Sequence, residues 1–450
     1  MRVLVFSRGD YYTNIMERTC YRNDFFVVTD AVYTFPTRRF DYCLSSTLNK
    51  YAYCGYTYFS DEELFNIVRR DRYLRRIALR EALDYVYNVT GQLLHIFQQE
   101  KPDVIFSHYP DSFTQYIMYK IAAKTGVHSV ALVAYAIPGY FMFFDYNKKV
   151  FYRRANKIEL LDLYDTFASK ASKMSHYVVQ NRGVIKELLY RLRAIPGPMW
   201  VWLRFNSQLN CDTRNRNFYA MCCSTGAIPP PRLNIRDLNT KGYYARLDDV
   251  KSGKGQKIIY ISLHYYPEAS IDYISESTQL IDHDRVVVDI LRNFSDRYIF
   301  VVKEHPAMYN LRNLALYEKT KKFPNVYLLH PATNYVDIIK KSDVIISWGG
   351  SVGLEAPFYG KRTLNIIKPL YHVDGFNNYF LDYNDLVTSF IYKVDTYNYD
   401  IKTYCSALYN LLIWTLFVGD YGSAAAQTDE KSINNIAHEL NVLFSTIVPV

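Results

Sequence analysis

Short apolar runs, each closed by polar or turn-forming residues, recur along the chain with helical patterns between them. Residues 3–7, 25–29, 104–108 and 129–134 read as strands in the first half. Residues 258–263, 298–303, 326–329, 344–347 and 363–367 read as strands in the second. A long helical tract covers about 61–99, opened by a capping box of Ser60 with Glu63. Its charge run, 69–76, reads as a solvated helix face. Further helical patterns lie near 277–294, 334–341 and 351–359. Strands alternating with helices are the mark of βαβ units on parallel sheets.

The rhythm breaks over 206–256, which holds Pro229-Pro230-Pro231 and Lys251-Ser252-Gly253-Lys254-Gly255. Proline runs stiffen a chain and Gly/Ser runs loosen it, so a linker or insertion is expected there. The expected fold class is therefore α/β: two Rossmann-like domains facing a central cleft, residues 1–205 and 257–400. Residues 401–450 are expected as helices packing back on the first domain.

Composition narrows the classes. Hydrophobic residues make up 49% of 450, which suits compact domains and excludes a disordered chain. The formal net charge of +9 is spread out and no nucleic-acid-binding motif accompanies it, so nucleic acid is not an expected partner. The seven cysteines form no C-x-x-C pair, which favours a reducing, cytoplasmic setting. No apolar window is long enough to span a bilayer. Residues 191–204 mix arginines with Trp200, Trp202 and leucines. That segment is expected either to touch an anionic membrane peripherally or to pack between domains.

Ligands of parallel α/β sheets bind beyond the carboxyl ends of the strands, so residues there are the candidates. Lys303-Glu304-His305-Pro306 follows one strand, and His305 there is expected either to meet a phosphate or sugar oxygen or to satisfy loop carbonyls. Trp348-Gly349-Gly350-Ser351-Val352-Gly353-Leu354-Glu355 follows another. Gly349 and Gly350 would let the backbone approach a phosphate, Ser351 would donate to it, and Glu355 would accept from ribose hydroxyls. The alternative is a tight turn with a surface glutamate. Glu268 follows the first strand of the second half, as a catalytic carboxylate or as a cap of the next helix. Asp282-His283-Asp284 resembles a metal motif but opens a helix, so a capping cluster and no metal are expected. In the first half Asp10, His108 and Asp111 follow strands and are acceptor-side candidates.

The ordered set P-E-A-S, K-E-H-P, S-W-G-G-S-V-G-L-E-A, G-K-R and Tyr371 over about 258–375 resembles the bacterial capsular polysaccharide biosynthesis proteins, which include Kdo transferases of the GT-B fold. The first half matches loosely through Arg70-Asp71-Arg72-Tyr73-Leu74-Arg75. The resemblance implies a glycosyltransferase that moves a sugar from a nucleotide sugar, a CMP-activated acidic sugar, to a growing glycan or lipid-linked acceptor without a metal or other cofactor. It implies His305 and Ser351 on the donor phosphate, Glu355 as a further nucleotide contact, and Glu268 at the reacting centre; by position, Lys303 is expected on the nucleotide as well and His305 as a catalytic residue. Those enzymes more often carry aspartate at the Glu268 position. Rival expectations are a UDP- or GDP-sugar transferase, an epimerase-like enzyme on the same fold, and a non-catalytic scaffold of capsule assembly.

Overall fold

A computed structural model of the chain describes residues 1–30, 40–44, 57–72, 74–134, 137, 139–160, 163, 165–167, 241–251, 253, 255–265, 268–308, 312, 314–421 and 428–447. They fall into two compact units. One is drawn from Met1–Ile158 and Leu412–Val450, the other from Glu159–Met199 and Pro229–Leu411.

The first unit is built on strands β1 (Val3–Phe6), β2 (Phe25–Thr29), β3 (Tyr42–Cys43), β4 (Val104–His108), β5 (His128–Ala134), β6 (Tyr140–Asp145) and β7 (Val150–Phe151), all earlier in the chain than a late strand, Phe417–Val418. The order β3-β2-β1-β4-β5 is parallel throughout. Next come β6, antiparallel to β5, and Phe417–Val418, antiparallel to β6. Alternation sets the faces: Val3, Val5, Val104, Phe106, Phe141 and Phe143 lie on one side. Against them pack Ile15 and Met16 of the helix Tyr11–Glu17 and Ile433, Ile436, Leu440 and Phe444 of the helix Glu430–Ile447. Burying each such side chain contributes about 1.5–3 kcal/mol. The last helix thus packs on the first unit, as expected of 401–450, but most of the preceding helix, Ile401–Thr415, belongs to the second unit, so the expectation holds only for the end of that stretch.

The second unit holds β8 (Ile258–Ser262), β9 (Ile299–Lys303), β10 (Val326–Leu329), β11 (Val344–Ser347) and β12 (Arg362–Asn365), in the order β10-β9-β8-β11-β12, all parallel. Ile259, Ile261, Phe300, Val302, Val344 and Ile346 share one core with the helix His283–Phe294. Their neighbours Ile258, Tyr260, Ile299, Val301 and Ile345 share the other, with the helix Tyr335–Lys341. A sheet covered on both faces explains why the strands read as continuous apolar runs. In each unit the strand order reverses beside the first strand, the arrangement of a Rossmann half. The α/β expectation with two Rossmann-like sheets therefore holds.

Several local expectations do not. The tract 61–99 is two helices, Asp61–Arg70 and Leu79–Glu100, separated by a 3-10 turn at Leu74–Arg76. The capping box of Ser60 and Glu63 is present. The charge run is solvated only in part: Arg69 and Arg76 are exposed, but Arg70, Asp71 and Arg72 are buried. Asp71 explains the break: its carboxylate accepts from the N–H groups of Leu74 (3.0 Å) and Phe113 (3.2 Å). Residues 191–204 and most of 206–256 lie outside the described residues. Near the end of the latter, Ala245 donates its N–H to the carbonyl of Leu328 at 2.8 Å and so joins the second unit. No described helix is long and apolar enough to cross a membrane.

Candidate active site

In the second unit, strands β8, β9 and β11 end together, and their loops carry most of the candidate residues. Beyond these ends lies a small cleft of about 60 Å³, open to solvent and lined by Tyr260, Ser262, Lys303, His305, Asn334, Tyr335 and Ser351 among others. Lys303 is the last residue of β9 and almost wholly buried. Burial pushes its ammonium down to about 8, against the opposing pull of Glu304. His305 follows two residues on. Burial first, then the nearby His264, lowers its imidazole to about 4, so it enters the cleft neutral at pH 7.

The loop of Lys303 and His305 is fixed from beneath by Glu304, which is fully buried. Its carboxylate accepts from the His305 N–H (2.6 Å), from Arg312 Nε (2.6 Å) and Nη2 (3.1 Å), and from the Tyr317 hydroxyl (2.7 Å). Arg312 also donates to Asp284 Oδ1 (2.6 Å) and to the His264 carbonyl (2.5 Å). One buried guanidinium therefore ties the β8 loop, the β9 loop and the start of the helix His283–Phe294 together. Removing one partner of such a pair costs about 3–5 kcal/mol, because the other charge is left buried alone.

This network overturns the capping expectation for Asp282-His283-Asp284. Asp282 makes no side-chain cap. His283 is fully buried, its Nδ1 pairs with Asp284 Oδ1 at 2.9 Å, and its Nε2 accepts the His264 N–H at 3.2 Å. Its ring lies 4.2 Å from that of Trp348. Among the described residues no group of His, Cys, Asp or Glu could hold a metal ion.

Glu268 occupies the N-cap position of the helix Ala269–Ile274, yet its side chain does not cap it. It turns back to His264, where Oε2 lies 2.6 Å from Nδ1. Burial works to raise the carboxyl, but the His264 contact outweighs it and holds Glu268 below the usual carboxylate range.

After β11 the chain turns through Gly349 at φ 78, a left-handed backbone that favours glycine. The Gly350 N–H donates to Ser347 Oγ (3.0 Å), and its carbonyl accepts from the Tyr371 hydroxyl (3.0 Å). The Gly350 amide expected on a phosphate is thus engaged within the turn. Ser351 is the first residue of the helix Ser351–Glu355, where an N–H has no intrahelical partner, and it lines the cleft. Glu355 is not a surface glutamate: it is fully buried and accepts from the Tyr335 hydroxyl at 2.5 Å. Tyr335, rather than Glu355, forms the cleft wall.

Asp10, His108 and Asp111 belong to the first unit, at the loops after β1 and β4 where its strand order reverses. Asp111 is bound by Arg8, Nη1 lying 2.7 and 3.0 Å from its two oxygens. The same guanidinium holds the buried Asp30 through Nε (2.7 Å) and Nη2 (2.8 Å). Burial works to raise Asp111, but Arg8 holds it below the usual carboxylate range. Burial lowers His108, whose Nδ1 contacts the Tyr109 carbonyl. Asp10 stands at the N-cap of the helix Tyr11–Glu17 without a side-chain cap.

No family model matches the chain, and no curated protein matches it. Among solved structures, the chain is similar to the KpsC β-Kdo 2,7 transferase of Thermosulfurimonas dismutans at 10% identity over 91% of this chain and 99% of that one, TM-score 0.35. The KpsC β-Kdo 2,4 transferase of the same organism matches at 13% identity, over 70% and 85%, TM-score 0.31. UDP-GlcNAc 2-epimerase of Neisseria meningitidis, bound to UDP-GlcNAc, matches at 13% identity, over 99% and 100%, TM-score 0.23. At these TM-scores the likenesses carry no argument. The α/β architecture rests on the strand order and register of the two sheets themselves.

Proposed function

We propose that the cleft of the second unit binds a nucleotide-activated sugar and that the chain transfers the sugar to a glycan or lipid-linked acceptor. The observation that supports this is the convergence of Lys303, His305 and Ser351 on one cleft at the ends of a parallel sheet; Glu268, in the loop after β8, contacts His264. A lysine ammonium, a neutral imidazole N–H and a hydroxyl are donors suited to a leaving phosphate. A carboxylate near the reacting carbon suits glycosyl chemistry. The donor proposed is a CMP-activated acidic sugar, whose own carboxylate would add to the negative charge that Lys303 meets. No metal is required where protein donors neutralise the phosphate.

A thermal-shift panel of CMP, UDP, GDP and their sugars tests the reading, since a ligand that binds only the folded state raises apparent stability. CMP and CMP-sugars are expected to raise the midpoint most. Nucleotide release that depends on added acceptor glycan then separates a transferase from a binding protein. No shift with any nucleotide would sink the proposal.

A further inference from the structure

The first unit leaves three cations of its charge run unpaired. Arg69, Arg76 and Arg80 are exposed, and none of them meets a carboxylate among the described residues. Other cations of the unit are engaged: Arg2 with Glu100, Arg8 with Asp30 and Asp111, Arg18 with Glu430 and Lys124 with Glu63. From 65 to 80 every exposed charge is positive. In the same stretch stand Phe65, 59% exposed, and Leu79, 57% exposed, two of the three most exposed large apolar side chains among the described residues. Phe65 and Arg69 lie four apart on the helix Asp61–Arg70 and share its outer face. The chain then folds straight back: the turn Leu74–Arg76 packs on that helix, and Arg75 Nη1 donates to the Arg70 carbonyl at 3.4 Å. Leu79 and Arg80 open the next helix. The five side chains therefore belong to one corner of the unit. Buried Leu74, and Asp71 on the N–H groups of Leu74 and Phe113, fix that corner from beneath.

We propose that this corner docks the chain on an anionic lipid bilayer, with Arg69, Arg76 and Arg80 among the headgroup phosphates and Phe65 and Leu79 at the acyl boundary. The charge is complementary: unpaired guanidinium groups suit phosphate, and the whole chain carries a formal +9. The apolar pair decides between anionic partners. A soluble polyanion would engage the arginines but gain little from Leu79. A bilayer offers negative charge and hydrocarbon within one side-chain length of each other, which is how surface-bound segments of this composition are held. Each arginine near such a surface raises the partition about fivefold, so the three together account for about 100-fold. The docking does not depend on what the cleft of the second unit binds.

The test uses the full chain without nucleotide, sedimented with vesicles of phosphatidylcholine alone or mixed with phosphatidylglycerol. Binding is expected to the mixed vesicles only, at about 0.1 M salt, and to fall away near 1 M, where the screening length drops from about 10 to about 3 Å. The triple variant Arg69→Gln/Arg76→Gln/Arg80→Gln is expected to lower the partition about 100-fold. Replacing the same three by lysine, which keeps the charge, is expected to retain most of the binding. Phe65→Ser/Leu79→Ser is expected to weaken binding while its salt dependence remains. All of these side chains face water, so each variant is expected to keep the wild-type thermal midpoint. Absence of wild-type binding to the mixed vesicles overturns the proposal. Full binding by the triple glutamine variant also overturns it, because the contact then lies elsewhere in the chain. So does an unchanged partition in Phe65→Ser/Leu79→Ser with capture of soluble polygalacturonate by the wild type, which would make the corner a site for acidic glycan instead.

Discussion

Gly353 is the position where the smallest substitution should have the largest structural effect. A Cβ there would lie 2.4 Å from the Tyr371 hydroxyl, 2.9 Å from Asn365 Oδ1 and 3.1 Å from Ser347 Cβ. The tyrosine cannot swing aside freely, because it is 3% exposed and its hydroxyl bridges Gly350 O (3.0 Å) and Asn365 Oδ1 (3.2 Å). Gly353→Ala should therefore cost about 1–3 kcal/mol in overpacking, and about 1 kcal/mol more for the displaced hydrogen bonds. Tyr371→Phe should cost about 1–2 kcal/mol, because it leaves the Gly350 carbonyl without its hydroxyl donor. The double variant is the informative one. With the hydroxyl gone, the methyl gains its space, so the two losses should fall short of their sum by about 1–2 kcal/mol. Urea unfolding followed by circular dichroism and tryptophan emission measures all three. Additive losses, within about 0.5 kcal/mol, would refute the claim that this hydroxyl and this glycine occupy one space.

Three further outcomes follow from the same site. His305→Ala should lower nucleotide-sugar turnover by about 2.7–4 kcal/mol in transition-state terms with folding intact; wild-type turnover would remove His305 from the phosphate. Lys303 titrates at about 8, so nucleotide affinity should be nearly constant up to pH 7 and fall about tenfold by pH 9, as isothermal titration would show; Lys303→Met should bind weakly and lose this dependence. His283, lowered to about 4 by burial, is protonated in the unfolded chain before the folded one. Its contribution is present above the ordinary histidine range and fades as pH falls through about 4. Urea unfolding should therefore show about 3 kcal/mol lost by acidification on this account, with a shallower pH slope in His283→Gln.

The strands of both parallel sheets were legible because a strand buried on two faces must be apolar at nearly every position, as in Ile258–Ser262 and Val344–Ser347. Their loops were legible as candidate sites for the same reason. Tyr140–Asp145 carried a strand signature too, in its run of aromatic and apolar residues, and was overlooked. Phe417–Val418 is another matter: two residues that pair only through Tyr140 and Phe141 leave no periodicity to read. The Arg312–Glu304–Asp284 network was hidden because its members meet only through strand order and not through spacing. Glu268 was read as a lone carboxylate although His264, four residues before it, offered the signal of its partner. The burial of Arg70–Asp71–Arg72 was hidden because charge runs ordinarily face water, and Asp71 finds its partner N–H at Phe113.

The first unit's sheet is closed by segments from opposite parts of the chain, and this bears on how it is made. Phe141 and Phe143 are synthesised early, while the helix Glu430–Ile447 that covers them emerges roughly 290 residues later, a delay of about 15–60 s at ordinary translation rates. During that interval an aromatic sheet face and the open edge of β6 are bare, the condition under which nascent chains pair wrongly with each other. The first unit to begin synthesis is thus the last to be completed. The second unit, whose sheet is drawn from one continuous stretch, can fold while the first waits. Expression yield should accordingly depend more on the C-terminal residues 412–447 than their distance from the cleft residues of the second unit in sequence would suggest.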